Sequence, residues 1–136
     1  MIGRLNHVAI AVPDLEAARH FYRVILGGHT TDPVDLVEHG VRVCVVTLPN
    51  CVIELMHPLN EQSPITSFLT RNPKGGTHHI CYEVDDIIAA RDQLVAKGIR
   101  VVGDGMPKTG YHGNPVLFFH PSDCLGTLIE LEQTAL

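Results

Sequence analysis

Four residues carry the chemistry that this 136-residue chain could do. His7 lies in "LNHVAIAVPDL" and His79 in "GGTHHICYEVDD"; Glu54 lies in "VIEL" and Glu130 in "LIEL". Side chains on a strand alternate between faces. On 5–12, Val8, Ile10 and Val12 form one face, with His7, Ala9 and Ala11 on the other. On 77–84, His79, Cys81 and Glu83 oppose Ile80, Tyr82 and Val84, and His78 points away from His79. Glu54 opposes Ile53 and Leu55 just as Glu130 opposes Ile129 and Leu131. Two imidazoles and two carboxylates turned from apolar faces suit a divalent metal such as Co²⁺, Mn²⁺, Ni²⁺ or Zn²⁺, with positions left for water or substrate. Carboxylates facing one another without a cation would repel. No thiolate belongs to the set, which argues against a closed structural zinc site.

The four are related by an internal repeat. "HVAIAVPDLEAAR" (from 7) lies over "HICYEVDDIIAAR" (from 79), and "VIEL" (52–55) over "LIEL" (128–131). A repeat of this length is a structural unit used twice. Asp14 and Asp86 are expected helix N-caps. Leu15, Ala18, Phe21, Tyr22, Ile25 and Leu26 recur at helical spacing up to Gly27-Gly28; Ile87, Ala90 and Leu94 do so up to Gly98. β-type runs follow each helix: 41–46 and 51–56, then 99–102, 115–119 and 127–132. Ser63-Pro64 starts a short connecting helix that Asn72-Pro73 ends. The expectation is an α+β fold: two tandem modules forming one cupped sheet with helices outside. Module one covers about 1–62, the connecting helix 63–72 and module two 73–136, in a single domain 1–136.

Bulk properties narrow the function. A formal charge of −5 argues against a nucleic-acid partner. No apolar run approaches membrane-spanning length, and "MIGRLNHVAIAV" lacks the features of a signal peptide. A cytoplasmic location is expected. Cys44, Cys51, Cys81 and Cys124 form no C-x-x-C pair and read as reduced core thiols. His20, His29 and His39 read as surface residues on a helix and in loops. His57, His112 and His120 lie near strand ends, where they could line a cleft.

The segments "LNHVAIAVPDLEAARHFY", "IELMHPLNEQSPITSFLTRNPKGGTHHICYEVDDI" and "HGNPVLFFHPSDCLGTLIELEQ" resemble the methylmalonyl-CoA epimerase family, within the vicinal oxygen chelate (glyoxalase/bleomycin resistance/dioxygenase) superfamily. The resemblance spans nearly the whole chain. It implies paired βαβββ modules making an eight-stranded mixed sheet, a metal held by His7, Glu54, His79 and Glu130, cobalt as that metal, and a homodimer. It implies an acyl-CoA substrate whose (R) and (S) forms interconvert by proton removal and return at C2 through a metal-stabilised enolate. Glu130 and Glu54 are then the candidate acid/base residues, with His112 or Glu38 behind them. Arg42, Arg71, Lys74 and Lys108 are available for coenzyme A phosphates. Two departures stand out: Val43 where some members have a further catalytic Glu, and Asn114 where many have Lys in "HGKP".

Two other functions fit the superfamily. A glyoxalase I-type lactoylglutathione lyase uses the same four ligand types, but the segment from Glu54 to His79 resembles the epimerases. A metal-free small-molecule binding protein has no reason to keep four metal-ligand side chains.

Overall fold

The computed structural model describes residues 1–134; the last two residues of the expected domain 1–136 lie outside the described residues. The chain is α+β and divides into two compact units. One is His7–His78; the other joins Met1–Asn6 to the residues from His79 on.

The first unit contains most of β1 (Leu5–Ala11), then α1 (Leu15–His20), β2 (His29–Thr30), β3 (Val34–Leu36), β4 (Val41–Thr47), β5 (Val52–Pro58) and α2 (Pro64–Arg71). β1 pairs parallel with β5, and β4 pairs antiparallel with β5. Asp14 caps α1 by accepting the Ala17 N–H at 3.0 Å. That helix covers one sheet face, where Leu15 packs with Val12, Cys44, Val46 and Leu55. Ser63 caps α2 by accepting the Ile65 N–H at 3.3 Å, as its Ser-Pro start implies.

The second unit repeats the plan with most of β6 (Gly76–Val84), α3 (Ile87–Ala96), β7 (Lys108–Thr109), β8 (Pro115–Phe119) and β9 (Leu128–Gln133). β6 pairs parallel with β9, and β8 pairs antiparallel with β9. Asp86 accepts the N–H groups of Ile88 and Ala89, both at 3.0 Å. Ile87 and Ala90 pack with Val84, Leu117, Phe119 and Leu131, and Leu94 lies against them. The registers themselves repeat. His7 faces Val52 and Ala9 faces Glu54; in the other unit His79 faces Leu128 and Cys81 faces Glu130.

Three sequence expectations need correction. The first helix becomes a π-helical turn over Phe21–Ile25, and Phe21, Ile25 and Leu26 are 44%, 64% and 59% exposed. The wider turn breaks the 3.6-residue phase, so an unbroken α-helical stripe fails there. Residues 99–102 are not a strand; only Val101 makes a single bridge, to Phe119. Gly98, Gly103 and Gly105 all take positive φ around this stretch and turn the chain instead. Finally, among the nine strands of the described residues, β2 and β7 are only two residues long, and β2 falls where a loop is expected. His29 lies in β2, not a loop; β2 and β3 each pair with β4. Among the described residues no helix is long and apolar enough to cross a membrane.

Gly75 has φ +85°, and a Cβ there would meet the Ala11 carbonyl oxygen at 2.5 Å. Gly98 has φ +86° but open space around it. We expect Gly98→Ala to cost about 1–2 kcal/mol from backbone strain alone. Gly75→Ala should cost clearly more, as measured by urea denaturation. Equal losses would mean that the carbonyl contact does not constrain the turn.

Asp123 gives a pH test. Hydrogen bonds from Arg100 hold its carboxyl below the ordinary value. A lowered folded-state pKa stabilises above the unfolded value and loses that contribution as pH falls through the folded one. The destabilisation caused by Arg100→Ala, measured by denaturation across pH, should therefore shrink on acidification below about pH 4.

Candidate active site

In each unit, strand alternation puts one histidine and one glutamate on the face away from the helix. His7 and Glu54 are 2% and 5% exposed, and His79 and Glu130 are 4% and 5% exposed. Such groups are costly to bury without partners. Each finds one inside its own unit: His7 Nδ1 lies 3.0 Å from Glu54 Oε2, and His79 Nε2 lies 2.8 Å from Glu130 Oε2. The two pairs present different ring nitrogens to their carboxylates. Phe118 meets the His79 ring edge-on, with centroids 5.1 Å apart.

Around Glu54 the neighbouring strand is apolar. Val45 is its cross-strand partner on β4, and Val43 is the partner of Met56; Val43 is fully buried. No acid stands on β4, consistent with the sequence departure at position 43.

The second unit is different. Glu132, two residues along β9 from Glu130 and on the same face, is only 2% exposed. Its Oε1 accepts from Asn114 Nδ2 at 2.9 Å and lies 3.4 Å from His112 Nδ1. Its Oε2 lies 3.9 Å from Cys81 Sγ. The sequence reading missed Glu132, although the same parity that selected Glu130 selects it too. Asn114, noted only as a departure, turns out to be a partner of this buried carboxylate.

The other histidines sort clearly. His57 Nδ1 lies 2.9 Å from the Val12 carbonyl, and His120 Nδ1 accepts the Ser122 N–H at 3.2 Å, so both tie down backbone. His78 stacks edge-on against Phe68, 5.1 Å between centroids. His20 and His29 are exposed, and His39 is half-buried. His112 is about a third exposed (34%) and remains at the site through Glu132.

Of the four cations, Arg42 is engaged by Asp35 at 2.6 Å, which raises its pKa above the ordinary value. It lines a groove of about 750 Å³ with His57, Asp14 and Glu16, beside the start of α1. Arg71, Lys74 and Lys108 are exposed. Glu38 lies exposed in a 3-10 turn. None of the four cysteines is joined in a disulfide. Cys44 and Cys81 are buried, whereas Cys51 and Cys124 are only partly so, which narrows the core-thiol expectation to two. Burial pushes the Cys44 thiol pKa up.

The glyoxalase/bleomycin resistance protein/dioxygenase superfamily model matches residues 6–118. The ethylmalonyl-CoA/methylmalonyl-CoA epimerase of Cereibacter sphaeroides is 64% identical, over 98% of this chain and 99% of its own. The mitochondrial methylmalonyl-CoA epimerase of Homo sapiens is 56% identical, over 97% of this chain and 74% of its own. A methylmalonyl-CoA epimerase solved with methylmalonyl-CoA and NH4+ superposes with a TM-score of 0.91 at 32% identity, covering 99% of this chain and 96% of that one. Whole-length identity at this level, on the duplicated strand–helix plan described above, leaves one conclusion: the chain belongs to the methylmalonyl-CoA epimerase family of the glyoxalase/bleomycin resistance protein/dioxygenase superfamily.

Proposed function

We propose that this chain interconverts the (R) and (S) forms of methylmalonyl-CoA, by removing and returning the proton at C2, with a divalent metal held by His7, Glu54, His79 and Glu130. The observation that carries this reading is the buried imidazole–carboxylate pair, repeated at register-equivalent positions in the two units. The names of the relatives support the substrate.

The donor chemistry fits a metal. Neutral imidazole nitrogen and carboxylate oxygen suit Co²⁺, Mn²⁺, Ni²⁺ or Zn²⁺, and cobalt is the choice drawn from the family. Buried carboxylates also gain most from a cation. Such a metal would act as a Lewis acid toward the thioester oxygen, where negative charge builds as the C2 proton leaves. The remaining work falls to the chain. Glu130 is the first proton-transfer group, and Glu54 its repeat mate. The buried valines at 43 and 45 give Glu54 an apolar surround, which strengthens local electrostatics. The working form is a homodimer in the cytoplasm, acting on a free acyl-CoA, with exposed cations such as Arg71, Lys74 and Lys108 available to its phosphates.

Purified protein incubated with methylmalonyl-CoA in D₂O should place deuterium at C2 and scramble its stereochemistry. A chelator should stop this, and added Co²⁺ should restore it. Ethylmalonyl-CoA belongs in the same assay, because the Cereibacter relative is named for both substrates. Inactivity on both acyl-CoA compounds, with turnover of a glutathione hemithioacetal, would replace the epimerase by a glyoxalase-type lyase.

Glu130→Gln should abolish C2 exchange in the same assay, since it removes a base and weakens a ligand together. Full exchange in that variant would remove Glu130 from the mechanism.

A further inference from the structure

Inverting a carbon needs a proton-transfer group on each side of it. With no acid on β4, the remaining candidate is Glu54, whose basicity would fall on coordinating the metal, so another second group is needed. We infer that His112, oriented by Glu132, is the second proton-transfer group of the epimerisation proposed above, on which this inference rests.

The geometry lies entirely within the second unit. His112 sits in the hairpin turn between β7 and β8, with Nδ1 3.4 Å from Glu132 Oε1. Tyr111 stands edge-on to its ring, at 5.3 Å between centroids. Asn114 Nδ2 donates to the same carboxylate oxygen at 2.9 Å and holds it in place. Gly110 sets the hairpin's shape: a Cβ there would meet Val116 Cγ1 at 2.8 Å. An imidazole facing a buried carboxylate through Nδ1 keeps that proton on Nδ1 and leaves proton exchange to Nε2. The carboxylate then stabilises the imidazolium that forms.

The other acids nearby are poorer choices. Glu132 itself is almost fully buried and already engaged through both oxygens. Glu83, on the same face of β6, takes the Asn6 amide at 3.0 Å and faces Thr134 Oγ1 at 3.5 Å. His112 is about a third exposed, and a group exchanging protons with water needs such access.

In the step, the C2–H bond breaks and its electron pair moves toward the thioester carbonyl. Nε2 of His112 gains the proton and passes it to water; the protonated Glu130 carboxyl gives a proton to C2 from the opposite side as the electron pair returns from the thioester oxygen, so the new C–H bond forms with inversion. For the opposite epimer the roles of His112 and Glu130 exchange. Glu132 and Asn114 are positioning residues.

The test is His112→Gln, assayed in D₂O from each pure epimer, with a thermal melt to verify folding. His112 lies in an exposed turn, so the variant should fold. Inversion should fall at least about 100-fold. Deuterium should still enter one epimer with retention, through Glu130, and should no longer enter the other. Glu132→Gln should weaken exchange of that same epimer alone. A His112→Gln enzyme that inverts like the wild type would overturn the assignment. So would equal loss of exchange from both epimers in a folded variant, since that marks a structural role. A wild-type chain that exchanges neither epimer would instead defeat the epimerase reading itself, a separate outcome.

Discussion

Burying a carboxylate is the constraint from which the rest of this structure follows. Removed from water without a partner, the group costs several kcal/mol. The chain buries three on strand faces, Glu54, Glu130 and Glu132, and gives each an imidazole neighbour within its own unit. A one-residue slip of β5 or β9 would turn its glutamates toward the helix and its leucines away. Register is therefore fixed twice over, by the apolar core on one face and by the ionisable groups on the other. The matching registers of β1 with β5 and β6 with β9 show the same solution used in both copies.

Much of this could be read from the residues because alternation and capping are local rules. His7 and His79, Glu54 and Glu130, Asp14 and Asp86 stand at corresponding places, and each lies where its parity or cap role puts it. The connecting helix follows from Ser63-Pro64 and Asn72 in the same way. What escaped depends on context. A two-residue strand such as His29–Thr30 has no period to detect; it exists because β4 offers an edge. Residues 99–102 are apolar enough for a strand, but glycines with positive φ turn the chain on either side and leave room for only one bridge, Val101 to Phe119. The π turn after His20 leaves no periodic mark, because it is a change of period within one helix. Glu132 was legible by parity, but "LIEL" over "VIEL" drew attention to Glu130 and stopped one residue short.

The two copies agree in backbone and disagree in the chemistry beside the shared pair. Under the offset that superposes Glu54 on Glu130, Met56 corresponds to Glu132, and Val43 and Val116 face them from the neighbouring strands. One copy thus closes its glutamate in with methionine and valine. The other places a carboxylate, an amide and an imidazole there. Duplication alone yields symmetric groups, which suit a metal because its ligands need no handedness. Epimerisation asks for more: the two faces of one carbon must be served separately, and a CoA thioester has no twofold axis. The divergence between Met56 and Glu132 is where the repeat departs from its own symmetry, in a place where the substrate has none.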